Sequence, residues 1–282
     1  MLSATLDAKR RQLLDKVRSY GSCAVAFSGG VDSAVVAQAA RLSLADAAVA
    51  VTAVSPSLAD GELEQARQLA RHIGIRHLVI ETGELDRPAY IRNAPDRCYH
   101  CKTEVYSQLA QRAAELGLAT IASGTNADDL GDHRPGLRAA AEHGVHQPLV
   151  DCDLSKSEVR ALAAHWNLPV WDKAATPCLS SRIAYGQQVT PERLAMVDQA
   201  EQYLRQLGLT NVRVRYHEGD LARLEIPPDK IPFLCQPDNR ESLVAHLRSL
   251  GFKYVTIDLV GFRSGSLNEF VPIESLCRNI SG

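Results

Sequence analysis

The residues of this sequence best suited to chemistry form a short loop near the N-terminus, Ser28-Gly29-Gly30-Val31-Asp32-Ser33. The apolar run 24–27 before it is typical of a buried strand, and the apolar-periodic segment 31–44 after it is typical of a helix. Two glycines let the backbone approach a ligand closely, and the unpaired N–H groups at a helix start attract anions. Asp32 and Ser33 fall in the first helical turn, where they could hold a magnesium ion and a phosphate oxygen. The pattern predicts a nucleotide phosphate site, with no lysine in the loop and a shorter span than G-x-x-x-x-G-K-[ST].

Cysteines form the second reactive set, and the chain has 7 of them. Cys98-Tyr99-His100-Cys101 is a C-x-x-C motif that we expect just before a helix, and Cys178 lies in an irregular stretch. Such a motif is typical of a redox pair, half of a zinc site or part of an iron–sulfur site. Three cysteines could bind three irons of a four-iron cluster and leave the fourth iron open for an exchangeable sulfide. The four other cysteines have no such neighbours and are expected at core or incidental positions: Cys23, Cys152, Cys235 and Cys277.

Strands that alternate with helices must position these groups. The predicted strands are 24–27, 47–55, 77–80 and 120–123, and the helices between them are 31–44, 60–73 and 102–116. This alternation predicts an α/β fold, a doubly wound parallel sheet with ligands at the carboxyl ends of its strands. Ser28 and Gly124 each follow a strand, so we expect both loops to face one crevice, with Ser55 bordering the adenine. Cys98 and Cys101 should lie on the crevice side, and the loop of Cys178 could fold back over it; a buried Cys178 beside a helix is the alternative.

The pattern changes in the second half of the chain. Ser155 and Glu158 have the spacing of a capping box at the start of a helix over 155–165. We expect a nucleotide-binding domain over 1–170 and a linker and active-site loop over 171–190. A smaller α+β domain for substrate binding or oligomerisation should follow over 191–282.

Composition and charge narrow the function classes. Hydrophobic residues make up 45% and charged residues 23% of the chain, as in ordinary globular proteins, and the formal net charge is -2. There is thus no overall electrostatic bias toward nucleic acid or an anionic membrane. Residues 1–18 indicate an amphipathic helix rather than a signal peptide, and no apolar run is long enough to span a bilayer. Cysteines without an export signal favour reduced thiols or metal ligands, so the cytoplasm is the expected location.

Taken with its hexapeptide loop, the chain resembles the LarE family of ATP-dependent sulfur transferases, which are PP-loop ATP pyrophosphatases. The motifs that carry the resemblance are Ser28-Gly29-Gly30-Val31-Asp32-Ser33, Cys98-Tyr99-His100-Cys101-Lys102, Gly124-Thr125-Asn126-Ala127-Asp128-Asp129, Arg134-Pro135-Gly136, Pro177-Cys178-Leu179-Ser180-Ser181-Arg182 and Gly261-Phe262-Arg263-Ser264-Gly265-Ser266. The resemblance implies adenylation of a carboxylate of pyridinium-3,5-biscarboxylic acid mononucleotide and its conversion to a thiocarboxylate, in synthesis of the nickel-pincer nucleotide cofactor of lactate racemase. It also implies a homo-oligomer.

In some members of that family one cysteine, matching Cys178, gives up its own sulfur and is left as dehydroalanine. Cys98 and Cys101 make this sequence similar to the three-cysteine members, which implies a [4Fe-4S] cluster on Cys98, Cys101 and Cys178 beside ATP and Mg²⁺. An anionic nucleotide substrate needs guanidinium groups, for which Arg182, Arg213 and Arg215 are the candidates. Glu225 could orient one of these arginines.

Three other functions fit parts of the pattern. A tRNA thiolase also pairs such a loop with cysteines, although a net charge of -2 argues against a large phosphate footprint. An amide-forming synthetase of the NAD or GMP type would use ammonia and would need no cysteine trio. A nucleotide- or cluster-binding sensor would bind ATP without releasing pyrophosphate.

Overall fold

A parallel sheet organises the first part of the computed structural model, which describes residues 2–131, 135–174 and 176–263. Its strands are β1 (Cys23–Ala26), β2 (Ala48–Val54), β3 (Arg76–Glu81) and β4 (Thr120–Ala122), in the order β3-β2-β1-β4. All pairings are parallel, and Cys23 lies opposite Ala48 on one side and Thr120 on the other. The chain builds outward from β1 to β3 and then returns to place β4 on the other side of β1. Ligands bind in α/β sheets at such a switch point, so the crevice lies between the carboxyl ends of β1 and β4.

Helices from the first part of the chain cover both faces of this sheet, and further helices belong to the second part. In chain order the helices are α1 (Ala4–Arg18), α2 (Val31–Leu44), α3 (Glu62–Ile73), α4 (Pro88–Ile91), α5 (Arg97–Glu115), α6 (Pro135–Glu142), α7 (Pro148–Asp151), α8 (Lys156–His165), α9 (Pro191–Gln206), α10 (Ile231–Cys235) and α11 (Pro237–Ser249). Alternate strand residues face opposite sides. Val25 joins a core with residues of α1, α2, α3 and α8, and Ala24 joins another with residues of α5 and α6. The predicted doubly wound parallel sheet is therefore confirmed.

The chain divides into two compact units. The first consists of Met1–Ser55, Asp60–Glu84 and Cys98–Thr176, and the second of Pro56–Ala59, Leu85–Arg97 and Pro177–Gly282. The second unit holds the strands β5 (Arg213–His217), β6 (Leu221–Glu225) and β7 (Tyr254–Ile257), with β5–β6 antiparallel and β6–β7 parallel. Together with α9, α10 and α11 this makes the α+β unit expected in the second half. The finer division into domain, linker and substrate-binding domain stays a prediction.

A capping motif in the sequence marks the start of α8. The capping box of α8 forms as predicted, since Ser155 Oγ accepts from the Glu158 amide at 3.3 Å and Glu158 Oε2 accepts from the Ser155 amide at 2.9 Å.

The position of the C-x-x-C motif was predicted wrongly, because α5 begins at Arg97 and contains the motif in its first turns. Apolar periodicity marked the helix only from residue 102, since its first turns carry polar side chains that show no such period.

Some of the sequence features lie outside the described residues. These are Arg134, residues 264–266 of the last recognition motif, and Cys277.

Candidate active site

The loop Ser28-Gly29-Gly30-Val31-Asp32-Ser33 joins β1 to α2 and is closed by its own hydroxyl groups. Ser33 Oγ donates to the carbonyl of Gly30 at 3.0 Å and accepts from the amide of Ser28 at 3.2 Å. Ser28 Oγ accepts from the amide of Gly30 at 3.3 Å. Gly30 is the N-cap of α2 and supplies no side-chain acceptor to the first turn. The amides at the start of α2 therefore form a cradle for an anion.

Two glycines let the backbone segments of this cradle meet. Gly29 has a φ of 73°, and a Cβ there would lie 3.3 Å from Cα and Cβ of Ala66. Gly124, in the loop after β4, packs more closely still. A Cβ at Gly124 would lie 2.6 Å from the amide nitrogen of Ser33 and 2.8 Å from the carbonyl carbon of Asp32. The expectation that the loops after β1 and β4 face the same crevice is met by this backbone contact.

Asp32 links three elements at the crevice. Its Oδ1 accepts from Nδ2 of Asn126 at 3.2 Å, and its Oδ2 forms an ion pair with Nζ of Lys156. Asn126 follows β4 and is 2% exposed, and Lys156 is the first residue of α8. The amide of Lys156 donates to Asp128 Oδ2 at 2.9 Å, which ties α8 to the same loop. An acid, an amide and an ammonium group thus converge beside the cradle.

Sequence reasoning missed Lys156 and gave Asn126 no role. The signal for Lys156 lies in its position, because Ser155 marks a helix start and makes Lys156 the first helical residue. A cation there opposes the helix dipole, which favours acids in the first turn and bases in the last. A lysine that is locally unfavourable is a candidate for a function elsewhere, and here it supplies the ammonium group that the loop itself lacks.

Ser55 lies directly after β2, next to the strand that feeds the phosphate cradle. Its hydroxyl donates to Oε1 of Glu84, a carboxylate that is 2% exposed. Ser55 is half-buried and so belongs to the edge of the sheet where ligands bind. Its predicted contact with adenine stays a prediction.

The C-x-x-C cysteines lie one helical turn apart at the start of α5. Cys98 is an exposed free thiol and Cys101 is half-buried. Residues at i and i+3 share a helix face, so the two sulfur-bearing side chains belong to the same side of α5. The core expectation holds for Cys23 and Cys152, both buried, and burial raises the pKa of the Cys23 thiol to about 12. Cys235 is exposed.

In the second unit, Cys178 lies in a segment that we call the cysteine loop, residues 177–182. Cys178 is exposed and precedes a 3₁₀ turn, Leu179–Arg182, whose members Leu179, Ser180 and Arg182 are buried. The amide of Leu179 donates to the carbonyl of Ser57 at 2.8 Å, and Ser180 Oγ lies 2.6 Å from the hydroxyl of Tyr90. The loop thus presents one exposed thiol on a backbone that is buried immediately after it.

Two of the predicted arginines lie inside the second unit, paired with buried glutamates. Arg182 and Glu201 are both 0% exposed, and the guanidinium binds the carboxylate through Nε at 2.9 Å and Nη2 at 3.1 Å. Arg215 Nη2 binds Glu225 Oε2 at 2.8 Å, and Arg223 binds Glu225 Oε1 at 3.0 Å. Glu225 thus contacts two arginines, and its expected role in orienting an arginine for the substrate stays a prediction. Substrate contacts of Arg182, Arg215 and Glu225 stay a prediction.

Arg213 begins β5, beside the paired arginines. Its guanidinium lies 5.2 Å from the ring centroid of Phe262, and Nη1 donates to the carbonyl of Val212 at 2.8 Å. Burial, aided by the nearby charge of Arg182, lowers the pKa of Arg213 to about 10. The group is still a cation at neutral pH, and its partial desolvation strengthens its attraction for an anion.

Neither a cluster of metal-ligand side chains nor a membrane span is found among the described residues. No group of three or more His, Cys, Asp or Glu side chains there is arranged to hold a metal ion. Cys98 and Cys101 belong to the first unit and Cys178 to the second. Among the same residues, none of the helices combines the length and the apolar character needed to cross a bilayer.

Comparison with known proteins defines the family. A family model described as asparagine synthase matches residues 6–130, the part that contains the phosphate cradle. The pyridinium-3,5-bisthiocarboxylic acid mononucleotide synthase of Lactiplantibacillus plantarum is 40% identical over 270 residues, which cover 94% of this chain and 96% of that protein. This chain belongs to the LarE family.

Two further relatives differ in how much of the chain they match. The uncharacterized protein slr1717 of Synechocystis is 46% identical over 263 residues, 93% of this chain and 98% of its own length. The tRNA-specific 2-thiouridylase MnmA of Azorhizobium caulinodans is 31% identical over 188 residues, but only 53% of this chain and 48% of that protein are covered. As a LarE protein with a PP-loop, the chain is an ATP-dependent sulfur-transferring enzyme that uses ATP with Mg²⁺.

Proposed function

We propose that this LarE protein adenylates a carboxylate of pyridinium-3,5-biscarboxylic acid mononucleotide and replaces the activated oxygen with sulfur. The product would be the thiocarboxylate used in nickel-pincer nucleotide synthesis. The observation that carries the proposal is the cradle at the start of α2, where Asp32, Asn126 and Lys156 meet beside Gly124. It rests also on the similarity to the Lactiplantibacillus plantarum synthase over nearly the whole chain.

The nucleotide half of the reaction follows from the cradle. A carboxylate oxygen of the substrate attacks the α-phosphorus of ATP, the bond to the β-phosphate oxygen breaks, and pyrophosphate leaves. The α2 amides bind the departing pyrophosphate, and Lys156 offsets part of its charge. Asp32 fits a magnesium ligand, because its carboxylate is one-quarter exposed beside the cradle and each oxygen keeps a further lone pair. Magnesium, when bound, would neutralise charge on the phosphates.

The sulfur half starts from the acyl adenylate. The thiolate of Cys178 attacks the acyl carbon to form a thioester, and AMP leaves with the original carboxylate oxygen. Loss of the Cα proton of Cys178 then breaks its Cβ–S bond, releasing the thiocarboxylate and leaving dehydroalanine.

We propose that Cys98, Cys101 and Cys178 hold a [4Fe-4S] cluster. The donor set fits, because Cys98 and Cys178 are exposed free thiols and Cys101 shares the helix face of Cys98. When bound, the cluster would supply an exchangeable sulfide at its open iron, and Cys178 would then be a ligand that is not spent.

The substrate is an anion at neutral pH, so cations must hold it. Arg213 is the proposed ligand for a substrate oxyanion, because it is a partly desolvated guanidinium on β5. We place the reaction in the cytoplasm, where ATP and reduced thiols are abundant, and expect a homo-oligomer.

The experiment that tests this function compares acceptors. Purified protein with ATP and Mg²⁺ should release pyrophosphate when given the pyridinium dicarboxylate, and should form the thiocarboxylate. Unmodified tRNA and ammonia are the control acceptors. The tRNA is included because similarity to MnmA covers half of the chain, and ammonia because an amide-forming synthetase would use it. Pyrophosphate release that depends on tRNA, or amide formation with ammonia, would contradict the proposal.

A further inference from the structure

The backbone of the cysteine loop is held by buried guanidinium groups from three separate places in the second unit. Arg97, Arg182 and Arg215, which we call the arginine clamp, are 5%, 0% and 6% exposed. Arg97 donates to the carbonyl of Ser180 at 2.7 Å, and Arg215 Nη1 donates to the carbonyl of Ser181 at 2.9 Å. Arg182 Nη1 donates to the carbonyls of Pro177 and Cys178, the latter at 3.1 Å.

We propose that the arginine clamp positions Cys178 for sulfur transfer, which makes Arg97, Arg182 and Arg215 positioning residues of this reaction. The inference rests on the proposed function and adds a role that acts through the loop backbone, without contact to the substrate. It applies equally whether the Cys178 sulfur attacks or binds the cluster, because in both cases the sulfur must stay at a fixed place.

The cost of the clamp is the physical reason to assign it a function. Burial of a guanidinium is unfavourable unless the charge is paired and its donors are used. Here Glu201 pairs with Arg182 and Glu225 pairs with Arg215, both glutamates being 0% exposed, and all three guanidinium groups donate to loop carbonyls. An apolar residue of similar size would fill such a site at lower cost, but would remove the guanidinium donors that the carbonyls of Pro177 and Ser181 have here.

The burial of the loop residues also explains why the clamp determines the position of the Cys178 side chain in particular. Leu179, Ser180 and Arg182 are 2%, 0% and 0% exposed, whereas Cys178 is exposed. Ser181 Oγ donates to the carbonyl of Cys178 at 2.7 Å and fixes the same peptide. A displacement of about 1 Å of a reacting group can lower a rate roughly a hundredfold. A loop without its clamp would therefore lose transfer before it loses its fold.

The chain offers a matched control. Arg205 Nη2 binds the same buried Glu201 at 2.8 Å, but Arg205 is 41% exposed on its side chain and donates to none of the loop carbonyls named above. Arg205→Gln removes an ion pair of the network and leaves the loop contacts in place. Arg97→Lys keeps the charge but shortens the reach to Ser180. The double variant Arg182→Met with Glu201→Gln removes the central pair without leaving a buried charge alone.

The test measures two half-reactions and the motion of the loop in anaerobically prepared full-length protein. One assay follows pyrophosphate release with the pyridinium dicarboxylate, and another follows the thiocarboxylate formed per pyrophosphate. Hydrogen exchange of the peptide containing residues 177–184 reports loop opening. For Arg97→Lys we expect pyrophosphate release within about twofold of the unaltered protein, and a thiocarboxylate-to-pyrophosphate ratio lowered roughly tenfold or more. Exchange of the loop peptide should quicken. The double variant should behave likewise, and Arg205→Gln should leave all three readouts unchanged.

Two results would overturn the inference. If Arg97→Lys and the double variant lower both half-reactions in proportion, the arginines only stabilise the fold. If loop exchange quickens while the ratio stays unchanged, the position of the loop does not matter for transfer. Should the unaltered protein release no pyrophosphate with this substrate, the proposed function is wrong, and the clamp is then judged by loop exchange alone.

Discussion

At the scale of single residues, Lys156 is the group that sequence reasoning lacked. The phosphate loop has no lysine of its own, and α8 brings one to Asp32 from 124 positions along the chain. In the structure the Lys156 ammonium group pairs with the Asp32 carboxylate. An ammonium group can turn to the phosphates because its four-carbon stem is flexible.

Replacement of Lys156 by alanine tests this role. We expect Lys156→Ala to slow substrate-dependent pyrophosphate release about a hundredfold, because the variant loses a donor that stabilises charge on the departing group. Lys9→Ala is the matched control: Lys9 binds Glu158 of α8 at 3.0 Å, so that variant removes an ion pair of the same helix and keeps the ammonium group at Asp32. The measurement is initial-rate pyrophosphate release, and equal effects of the two substitutions would rule out the phosphate role.

The phosphate cradle could be predicted from the sequence, whereas the buried ion pairs could not. The cradle was predictable because its glycines, hydroxyls and acid lie in six consecutive residues. The buried pairs Arg182–Glu201 and Arg215–Glu225 were not, because each joins a cation to an acid on a separate element. The residue type made Arg215 a candidate to bind an anionic substrate, but it could not indicate that Arg215 is 6% exposed.

At the scale of secondary-structure elements, the approach of the β4 loop to α2 holds the cradle together. Gly124 has no room for a side chain, since an added Cβ would overlap the Asp32–Ser33 backbone. Gly124→Ala should therefore cost about 1–3 kcal/mol of stability and also lower pyrophosphate release, because the strain displaces the first turn of α2.

A second glycine separates these two effects. Gly144 has a φ of 62° and no atom within 4 Å of an added Cβ, so Gly144→Ala costs stability through backbone strain alone. Thermal unfolding and pyrophosphate release, measured together, check the prediction. A Gly124→Ala protein that keeps full activity would show that the close contact does not shape the site.

The elements that sequence reasoning overlooked share one feature. α4, α6 and α7 each begin at a proline, and α10 has one in its first turn. Proline suits the first turn of a helix, but the helices α4, α7 and α10 are four or five residues long, too short to show a period of 3.6 residues. The longer strands and helices carry several repeats of their period, and these were predicted to within a few residues.

At the scale of the whole molecule, two short segments from the N-terminal half of the chain join the second unit. Pro56–Ala59 and Leu85–Arg97 supply partners of the cysteine loop, through the Ser57 carbonyl, the Tyr90 hydroxyl and the Arg97 guanidinium. Such contacts span 83 residues of sequence or more. No local pattern encodes them, because periodicity and turn chemistry report only on near neighbours.

The proposed cluster makes a prediction for the whole protein. Anaerobic purification, or reconstitution with iron and sulfide, should give a brown protein with about one [4Fe-4S] cluster per chain. Cys98→Ser and Cys101→Ser should lose most of the iron, because each removes a thiolate ligand. Cys235→Ser is the matched control, since Cys235 is exposed but belongs to neither motif. Iron and sulfide analysis checks this, and colourless protein after reconstitution would leave Cys178 as the sole sulfur donor.

The central claim is that ATP activates a carboxylate which sulfur then attacks, and the fate of one oxygen atom tests it most directly. The dicarboxylate substrate is labelled with heavy oxygen in its carboxylates and incubated with the protein, ATP and Mg²⁺ for a single turnover. The masses of the released adenine nucleotide and of the thiocarboxylate product are then measured by mass spectrometry. We predict AMP that carries one heavy oxygen, together with a thiocarboxylate that has lost one. Unlabelled AMP, or ADP in its place, would contradict the account.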